Sequence, residues 1–464
     1  MPISRRSSRR AVGLALLATA AAFGAAGAQD PQPPAGVRLS GEYGVGNRPG
    51  VLVLPVRGAA GDSVRSILMR DFDFGDRITV IGNPEEPRTS PVPAGAQTNY
   101  PLYARLGAAA VVQANVTASG LAVTVHDVGQ RKVLRTRSFP LAGTANSAEW
   151  RMALHGVADE LEQWITGVRG VAQTQIAFSR GEDIFVTHTD GAVTTRVTNG
   201  GGRAMSPAFH PNGRLIAYSL LTDAGTQIMV RNVDGTGARR LSSPGLNITP
   251  TFTPDGRMVI YASSEAVGTD LYAVPIAGGS RRRVTVSQRV ENTSPTLSPD
   301  GRSVAFASNR TGRPEIWRVS IDGGTPDLLT TYEFGVNNER HSPDWSPDNR
   351  RIAYHSGTSA GYQVMTLSLR DGSTQQLTSD GTNEDASWAP DGRHLVFAST
   401  RGGTQQIWVM DVESGRMRQL TRGSARAARR VVGPAERWRR GLLVARRPLD
   451  FRRRPPPLAP GDPR

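Results

Sequence analysis

One short hairpin unit recurs along residues 206–399 and constrains the fold more than any other feature. In each copy a strand-like piece leads into a tight Pro-Asp-Gly or similar turn, and an alternating apolar run follows. Such a turn between two runs predicts a β-hairpin, because glycine adopts the positive φ that the turn needs without steric cost. The copies read SPAFHPNGRLIAYS (206–219), TPTFTPDGRMVIYAS (249–263), SPTLSPDGRSVAFAS (294–308), SPDWSPDNRRIAYHS (342–356) and ASWAPDGRHLVFAS (386–399).

The spacing of these copies predicts the blades of a β-propeller. The five turn residues lie 43 to 48 residues apart, and each repeat has room for four short strands, A to D. Because one such unit cannot bury both of its faces alone, the units are expected to pack side by side around an axis. The turn residues are Gly213, Gly256, Gly301, Asn349 and Gly392.

Counting the strands predicts six blades over residues 173–424. Six B strands can be placed, beginning near Thr174, Arg214, Arg257, Arg302, Arg350 and Arg393, but only five A strands. In a closed ring the sixth A strand must therefore come from beyond Thr421, where it would cover two otherwise open sheet edges.

The region before the propeller predicts an exported protein with a small α/β domain. Residues 1–28 combine an arginine-rich start, an apolar run and an Ala-Gly-Ala site, which is typical of a signal peptide cleaved near Ala28; an uncleaved anchor is the alternative. Residues 29–49 are expected to be flexible. Residues 50–168 show a strand, a helix from an Asp62 N-cap, further strands and an amphipathic helix over Ser147–Gly167, which together predict an α/β domain.

Charge and composition exclude several classes of function. The net charge is +15, but residues 1–28 contribute +4 and residues 425–464 contribute +9, which leaves +2 for the body. A nucleic-acid-binding face is therefore not expected, and membrane association would be peripheral at most. The chain has no cysteine, so disulfides, thiolate nucleophiles and cysteine-ligated zinc are excluded.

Several motifs together resemble the TolB family of periplasmic propeller proteins of the Tol–Pal system. They are RPGVLVLPV (48–56), LGAAAVVQANVT (106–117), WRMALHGVADELEQWITGVRG (150–170) and TQIAFS (174–179), followed by the hairpin units. The resemblance implies a periplasmic, non-enzymatic protein that binds the peptidoglycan-associated lipoprotein Pal at one mouth of the propeller and contacts TolA through its N-terminal region. It also implies roles in outer-membrane integrity and cell division.

The loops between a D strand and the next A strand are the predicted partner-binding site. They are rich in Asn and Glu, short polar side chains that can satisfy a partner's backbone and basic groups, although Asn also occurs there because it tolerates turns. Asn292 and Thr293 lie in the segment most similar to the family. The full set is Asn247, Asn292, Thr293, Asn338, Glu339, Asn383 and Glu384.

No enzyme signature accompanies the propeller. Gly-x-Ser-x-Gly occurs once, as GTSAG at 357–361 inside the repeat region, and no α/β-hydrolase pattern that would make it a nucleophile elbow follows Thr421. The seven histidines show no His-x-x-x-His or His-Glu-x-x-His spacing. We therefore predict no catalytic residue, no cofactor and no metal. The alternative function is a propeller sensor or lectin-like module that binds a small ligand in its axial channel.

Both ends of the mature chain leave two interpretations open. Residues 29–47 are either the TolA-contacting peptide, which could order as an added strand, or a simple linker. Residues 425–464 are rich in Arg, Pro, Ala and Gly, and are either a product of a shifted reading frame or a genuine, disordered basic tail that binds anionic surface polymers or phospholipid. Arg430–Val432 is the available substitute for the closing A strand.

Overall fold

The computed structural model describes residues 46–86, 88–93, 96–264, 268–287, 289–330 and 338–422, together with the backbone of 427–432 and 442–444. The predicted leader, residues 29–45 and most of the basic tail lie outside the described residues. Among the residues described, no helix is both long and apolar enough to cross a membrane.

The N-terminal α/β unit is one mixed five-stranded sheet packed against helices. The sheet order is β2-β1-β3-β4-β5, with β1 parallel to β2 and β3 and the other pairs antiparallel. The elements are β1 (Gly50–Val53), α1 (Gly61–Gly75), β2 (Thr79–Ile81), α2 (Tyr100–Arg105), β3 (Ala110–Thr117), β4 (Gly120–Asp127), β5 (Lys132–Phe139) and α3 (Ala148–Thr166).

The helix ends agree with the sequence at α3 and disagree at α1. Ser147 caps α3 by accepting a hydrogen bond from the backbone N–H of Trp150, and Gly167 ends the helix with φ 81°. The prediction that Asp62 is the N-cap of α1 is wrong. Ala60 occupies the N-cap with φ 60°. Asp62 lies in the first turn, where its negative carboxylate interacts favourably with the positive end of the helix dipole.

The rest of the described chain forms six antiparallel blades, as the repeats predict. Apolar clusters cross the blade boundaries; Trp388 of the sixth blade, for example, packs in the same cluster as Ala353 and Val364 of the fifth. The strands are β6 (Gln175–Arg180), β7 (Asp183–His188), β8 (Thr194–Arg196); β9 (Arg203–Phe209), β10 (Leu215–Thr222), β11 (Gly225–Asn232), β12 (Arg239–Arg240); β13 (Leu246–Phe252), β14 (Met258–Ser264), β15 (Asp270–Pro275), β16 (Arg282–Arg283); β17 (Asn292–Leu297), β18 (Ser303–Ser308), β19 (Glu315–Ser320), β20 (Asp327–Leu328); β21 (Arg340–Trp345), β22 (Arg351–Thr358), β23 (Gly361–Ser368), β24 (Thr374–Gln376); β25 (Asn383–Trp388), β26 (His394–Ser399), β27 (Gln406–Asp411), β28 (Met417–Gln419); β29 (Ala427–Val432) and β30 (Leu442–Val444).

A strand from beyond Thr421 completes the first blade. β29 pairs antiparallel with β6 in continuous register, from Ala427 opposite Arg180 to Val432 opposite Gln175. The other five A strands differ, because each has a β-bulge. At the bulge the pairing with strand B shifts register, and one residue there has a positive φ. Those residues are Ser206, Thr249, Ser294, Ser342 and Asp385. β29 therefore supplies the backbone pairing of an A strand without the bulge that marks the others, and β30 pairs along its second edge.

A hydroxyl clasp, defined here as a Thr or Ser two residues after strand D that bonds to strand C, recurs in all six described blades. The side-chain oxygen accepts a hydrogen bond from a backbone N–H near the start of strand C, always 14 residues earlier. In five blades the same hydroxyl also donates to an acidic or amide side chain of strand C. The hydroxyl residues are Thr198, Ser242, Thr285, Thr330, Thr378 and Thr421.

Candidate functional site

The two faces of the propeller have different environments. In an antiparallel A-B-C-D blade, the A–B and C–D turns share one face, and the B–C and D–A loops share the other. The α/β unit contacts the first face: Arg77 pairs with Asp391 in an A–B turn, and Asp73 pairs with Arg416 in a C–D turn. The D–A and B–C loops, which we call the loop face, therefore point away from the α/β unit.

On the loop face, the predicted asparagines of three blades occupy one equivalent position. Asn247 is the second residue of β13, and Asn292 and Asn383 begin β17 and β25; their exposed fractions are 3%, 0% and 0%. The amide nitrogen of Asn292 donates to the Thr269 carbonyl at 2.9 Å and to the Ser287 hydroxyl at 2.7 Å. These asparagines tie each D–A loop to its neighbouring strands, and their amide groups are used within the protein.

An arginine from the B–C loop completes this arrangement in two blades. Arg310 Nη2 donates to Asn292 Oδ1 at 2.9 Å, and its guanidinium lies 4.7 Å from the ring centre of Trp317. Arg401 Nη2 donates to Asn383 Oδ1 at 3.2 Å and lies over Trp408. Burial lowers the pKa of both guanidinium groups. The two loops of the face are therefore fixed to each other through side chains.

The fifth blade departs from the pattern. Arg340, not Asn338, occupies the equivalent buried position at the start of β21, and its Nη1 lies 2.5 Å from Glu315 Oε2. Glu339 precedes it, and its Oε2 accepts from His341 Nε2 at 3.3 Å and from the Tyr362 hydroxyl at 3.4 Å. Burial lowers the pKa of His341, although Glu339 opposes the effect. The blade thus presents a carboxylate held by aromatic neighbours.

The remaining predicted residues are accessible in part. Thr293, Asn338, Glu339 and Glu384 are half-buried, so each combines a fixed backbone with a partly exposed side chain. Thr293 and Glu384 occupy the same position in their strands, directly before the bulge residues Ser294 and Asp385. The structure therefore divides the predicted set into three buried asparagines and four half-buried residues.

A groove of about 760 Å³ separates the α/β unit from the first and sixth blades. Phe74 and Leu420 supply apolar surface, and charged side chains of both signs surround them. Nothing in the local sequence predicts this groove, since its walls come from α1, from the C–D turn of the first blade and from β28 with the residues that follow it, which are remote in the chain. The charged residues are Arg70, Asp71, Asp73, Glu85, Arg180, Asp190, Arg418 and Arg422.

Two groups of His and Asp in the described residues have the proximity that metal ligands need. One consists of His155, His188 and Asp190, and the other of Asp76, His394 and Asp411; in each, one donor atom per residue lies within 4.8 Å of the others. Both groups lie where the α/β unit meets the propeller. Sequence analysis missed them because the ligands come from separate elements and have no common spacing.

Comparison with known proteins decides the family. A family model described as "TolB beta propeller domain" matches residues 162–340 and 334–438, which is more than half of the chain. The chain belongs to the TolB beta-propeller family. The resemblance inferred from the sequence motifs is thereby confirmed, and so is the fold of a small α/β unit followed by six blades.

Individual relatives are similar over part of their length. Tol-Pal system protein TolB of Legionella pneumophila (strain Corby) is 27% identical over 204 residues, 41% of this chain and 46% of the relative. The protein of the same name from Haemophilus influenzae (strain ATCC 51907 / DSM 11121 / KW20 / Rd) is 27% identical over 217 residues, 44% and 50% of the two chains. This TolB-family chain thus spans about half the length of the curated relatives it matches.

A solved structure shows the same fold over a longer range. The crystal structure of TolB from Acinetobacter baumannii matches with a TM-score of 0.70 and 23% identity, and covers 82% of this chain and 96% of that one. At this identity the match concerns the fold, and it extends across both the α/β unit and the propeller.

Proposed function

We propose that this TolB-family protein is a non-enzymatic, periplasmic component of a Tol–Pal envelope system that binds the lipoprotein Pal through its loop face. In that role it would support outer-membrane integrity and cell division. The relatives named Tol-Pal system protein TolB support the assignment to the system. The Gly-x-Ser-x-Gly match at 357–361 forms the hairpin turn between β22 and β23 and not the strand-to-helix turn of a nucleophile elbow, which supports a binding role in place of hydrolysis.

The observation that carries the proposal is the contrast between the two faces of the propeller. The α/β unit contacts turns of the opposite face, through Arg77 with Asp391 and Asp73 with Arg416. The loop face carries the partly accessible side chains of Thr293, Glu339 and Glu384. Loops held by a scaffold are a common location for partner binding, which favours this face.

The buried asparagines contribute to binding indirectly. Asn292 and Asn383 fix the D–A loops through hydrogen bonds to backbone carbonyls and to Arg310 and Arg401. A loop that is ordered before binding loses less conformational entropy when the partner docks. We therefore assign the contacts with Pal to Thr293, Asn338, Glu339 and Glu384, and the ordering of the surface to Asn247, Asn292 and Asn383.

Charge reversal on the loop face tests this proposal. Binding of the mature protein to the soluble domain of Pal from the same cell is measured by titration calorimetry for wild type, Glu384→Lys and Glu339→Lys. Both variants are expected to bind at least 10-fold more weakly, because a carboxylate that meets a basic partner group becomes a cation. Asp322→Lys is the matched control, since Asp322 lies in a C–D turn and its side chain is 88% exposed.

Two results would contradict the proposal. Equal affinity of Glu384→Lys, Glu339→Lys and wild type would exclude the loop face as the Pal site. Absence of Pal binding in the wild type, with a rise in melting temperature on addition of a glycan or an ion, would instead favour a sensor or lectin-like module with a ligand in the axial channel.

The contact with TolA and the export of the protein are separate parts of the proposal. Residues 1–28 would direct export and be removed near Ala28, and residues 29–47 would contact TolA. All but the last two of these lie outside the described residues. Deletion of residues 29–45 is expected to abolish capture by TolA and to leave Pal binding unchanged; equal capture by both proteins would assign this segment as a linker.

A further inference from the structure

A buried group of imidazoles and carboxylates connects the α/β unit to the first blade. Asp71 comes from α1 and His155 from α3, whereas His188 ends β7 and Asp190 follows it in the C–D turn. His155 and His188 are 0% and 4% exposed. Four side chains from three elements therefore converge at the junction of the two parts.

Two nitrogen atoms in this group are buried without a hydrogen-bond partner among the described residues. They are Nε2 of His155 and Nδ1 of His188. A buried polar atom that lacks a partner costs about 1–3 kcal/mol, so such atoms usually indicate a ligand or a water molecule. The two rings lie edge to face, with their centres 5.8 Å apart.

Asp71 holds His155 in the orientation that a metal ligand requires. Asp71 Oδ2 lies 2.8 Å from His155 Nδ1, which leaves Nε2 directed at Asp190, whose Oδ2 is 3.6 Å away. A carboxylate on the far nitrogen of a ligating histidine is the usual second contact in protein metal sites. Two donors around tetrahedral zinc lie about 3.4 Å apart, so His155 and Asp190 are close to that spacing.

We propose that His155, His188 and Asp190 form a binding site for a divalent transition-metal ion, with Zn²⁺ as the ion that fits the donors best. Two imidazoles and one carboxylate suit Zn²⁺ and exclude Ca²⁺ and Mg²⁺, which require mostly oxygen ligands. Each donor lies within 4.8 Å of the other two, so binding requires the donor–donor distances to shorten by at most about 1.4 Å. Asp190 also lines the groove, so a water molecule from the groove would supply the fourth ligand of the ion.

The second His and Asp group provides an internal comparison. Asp76 already pairs with Arg48, Arg416 and Arg418, and Asp411 pairs with Arg393. Four guanidinium groups therefore neutralise its two carboxylates and would repel a cation. In the proposed site, Arg151 is the cation that contacts Asp190, and the Asp71 carboxylate lies on the opposite side of His155.

The proposed ion would hold the α/β unit on the propeller. His155 belongs to α3, and His188 and Asp190 belong to the first blade, so the metal would cross-link the two parts at one point. Binding to the folded state alone raises stability in proportion to the logarithm of the ion concentration above Kd. This inference does not depend on the Pal proposal, because the site lies on the opposite face of the propeller from the loops.

Cobalt substitution tests the site directly. Untagged mature protein is freed of metal with a chelator and titrated with Co²⁺, which absorbs visible light when bound by imidazole and carboxylate. One equivalent is expected to bind, Zn²⁺ is expected to displace it, and Zn²⁺ is expected to raise the melting temperature. His188→Gln should weaken Co²⁺ binding at least 10-fold, and Asp71→Asn should weaken it about 10- to 100-fold with a similar spectrum.

His394→Gln is the matched control, since His394 belongs to the group surrounded by arginines; it should bind Co²⁺ like the wild type. Circular dichroism confirms that each variant is folded, and His155→Gln serves as the second ligand variant should His188→Gln unfold. The proposal is overturned if the wild type shows neither a Co²⁺ band nor a Zn²⁺-dependent rise in melting temperature. It is also overturned if His188→Gln and His155→Gln bind like the wild type, or if His394→Gln loses binding to the same extent.

Discussion

Arg77 and Asp391 are 314 residues apart in the chain, yet Arg77 Nη2 lies 3.1 Å from Asp391 Oδ2. The same guanidinium lies 3.4 Å from Glu162 of α3, so one side chain joins the helix, the sheet edge and the sixth blade. Burial alone would raise the pKa of Asp391, but His394 and Arg77 hold it far below the ordinary value. The α/β unit is therefore attached to the propeller through a carboxylate that is ionised at neutral pH.

Removal of this arginine should destabilise the protein strongly. Arg77→Met is expected to lower the free energy of unfolding by about 3–5 kcal/mol, because it leaves the buried Asp391 carboxylate without this cation. Urea unfolding followed by tryptophan fluorescence measures the change. Arg88→Met is the control, since Arg88 forms an exposed pair with Asp62 and should alter stability little. Equal stability of both variants would contradict the role of Arg77.

The Arg77 pair also makes stability depend on pH through Glu162. Burial raises the pKa of Glu162 to about 8, from an ordinary value of 4.5, and Arg77 opposes that rise. The stabilisation by the protonated carboxyl is complete below pH 4.5 and is lost as the pH rises through 8. Glu162→Gln mimics the protonated form, so the variant should gain stability relative to wild type between pH 5 and pH 9. A constant difference across that range would disprove this assignment.

The hydroxyl clasps should be worth measurable stability in each blade. The Thr285 hydroxyl accepts from Leu271 N at 2.9 Å and donates to Asp270 Oδ1 at 2.7 Å. Thr285→Val keeps the shape of the side chain but removes one hydrogen bond from Leu271 N and one from Asp270. The free energy of unfolding, measured with urea, is expected to fall by about 1–3 kcal/mol. Thr195→Val, at an exposed position of β8, is the control and should cost little.

The buried asparagines should affect loop order more than their neighbours do. Asn292→Ala removes hydrogen bonds to Thr269 and Ser287 and the acceptor for Arg310, and we expect a loss of about 1–3 kcal/mol. Thr293→Ala, one residue further along the same strand, is expected to be nearly neutral. Hydrogen exchange of the D–A loop should accelerate in the first variant alone; acceleration in both would indicate that the strand as a whole is weakly held.

The closing strand can be tested by comparing two truncations. A chain that ends at Val444 keeps β29 and β30, whereas one that ends at Arg422 lacks both and leaves β6 as an open edge. The shorter chain should melt at a lower temperature and associate at high concentration, because an unpaired edge strand recruits another chain. Identical melting and a monomeric elution volume for both chains would show that β29 does not close the ring.

The repeats made the propeller predictable from the sequence. The alternation of apolar and polar residues and the turn glycines act over two to four residues. The segments around Gly256 and Gly301 therefore specify hairpins by themselves. Repeats of similar length and pattern then fold into similar blades that pack side by side. The α/β unit was predictable for the same reason, since Ser147 and Gly167 mark the two ends of α3 locally. The Val or Leu followed by Thr or Ser just after each D strand was also visible as a repeat, and could have revealed the clasps.

What each polar side chain does was decided only by the tertiary structure. The sequence marks Asn292 as a loop residue, but whether it faces a partner or the interior depends on where Thr269, Ser287 and Arg310 arrive. His155 and His188 follow no ligand spacing, and only the packing of α3 on the first blade brings their rings together.

The closing strand shows the same division between chain and fold. Residues 427–432 lack the A-strand motif, yet they pair with β6, because ladder hydrogen bonds involve backbone groups that nearly every residue carries. The sequence by itself determined the number and form of the blades, since those follow from short-range periodicity. Burial, ion pairing and the candidate metal ligands arise from contacts between residues tens to hundreds of positions apart, and only the folded chain brings those residues together.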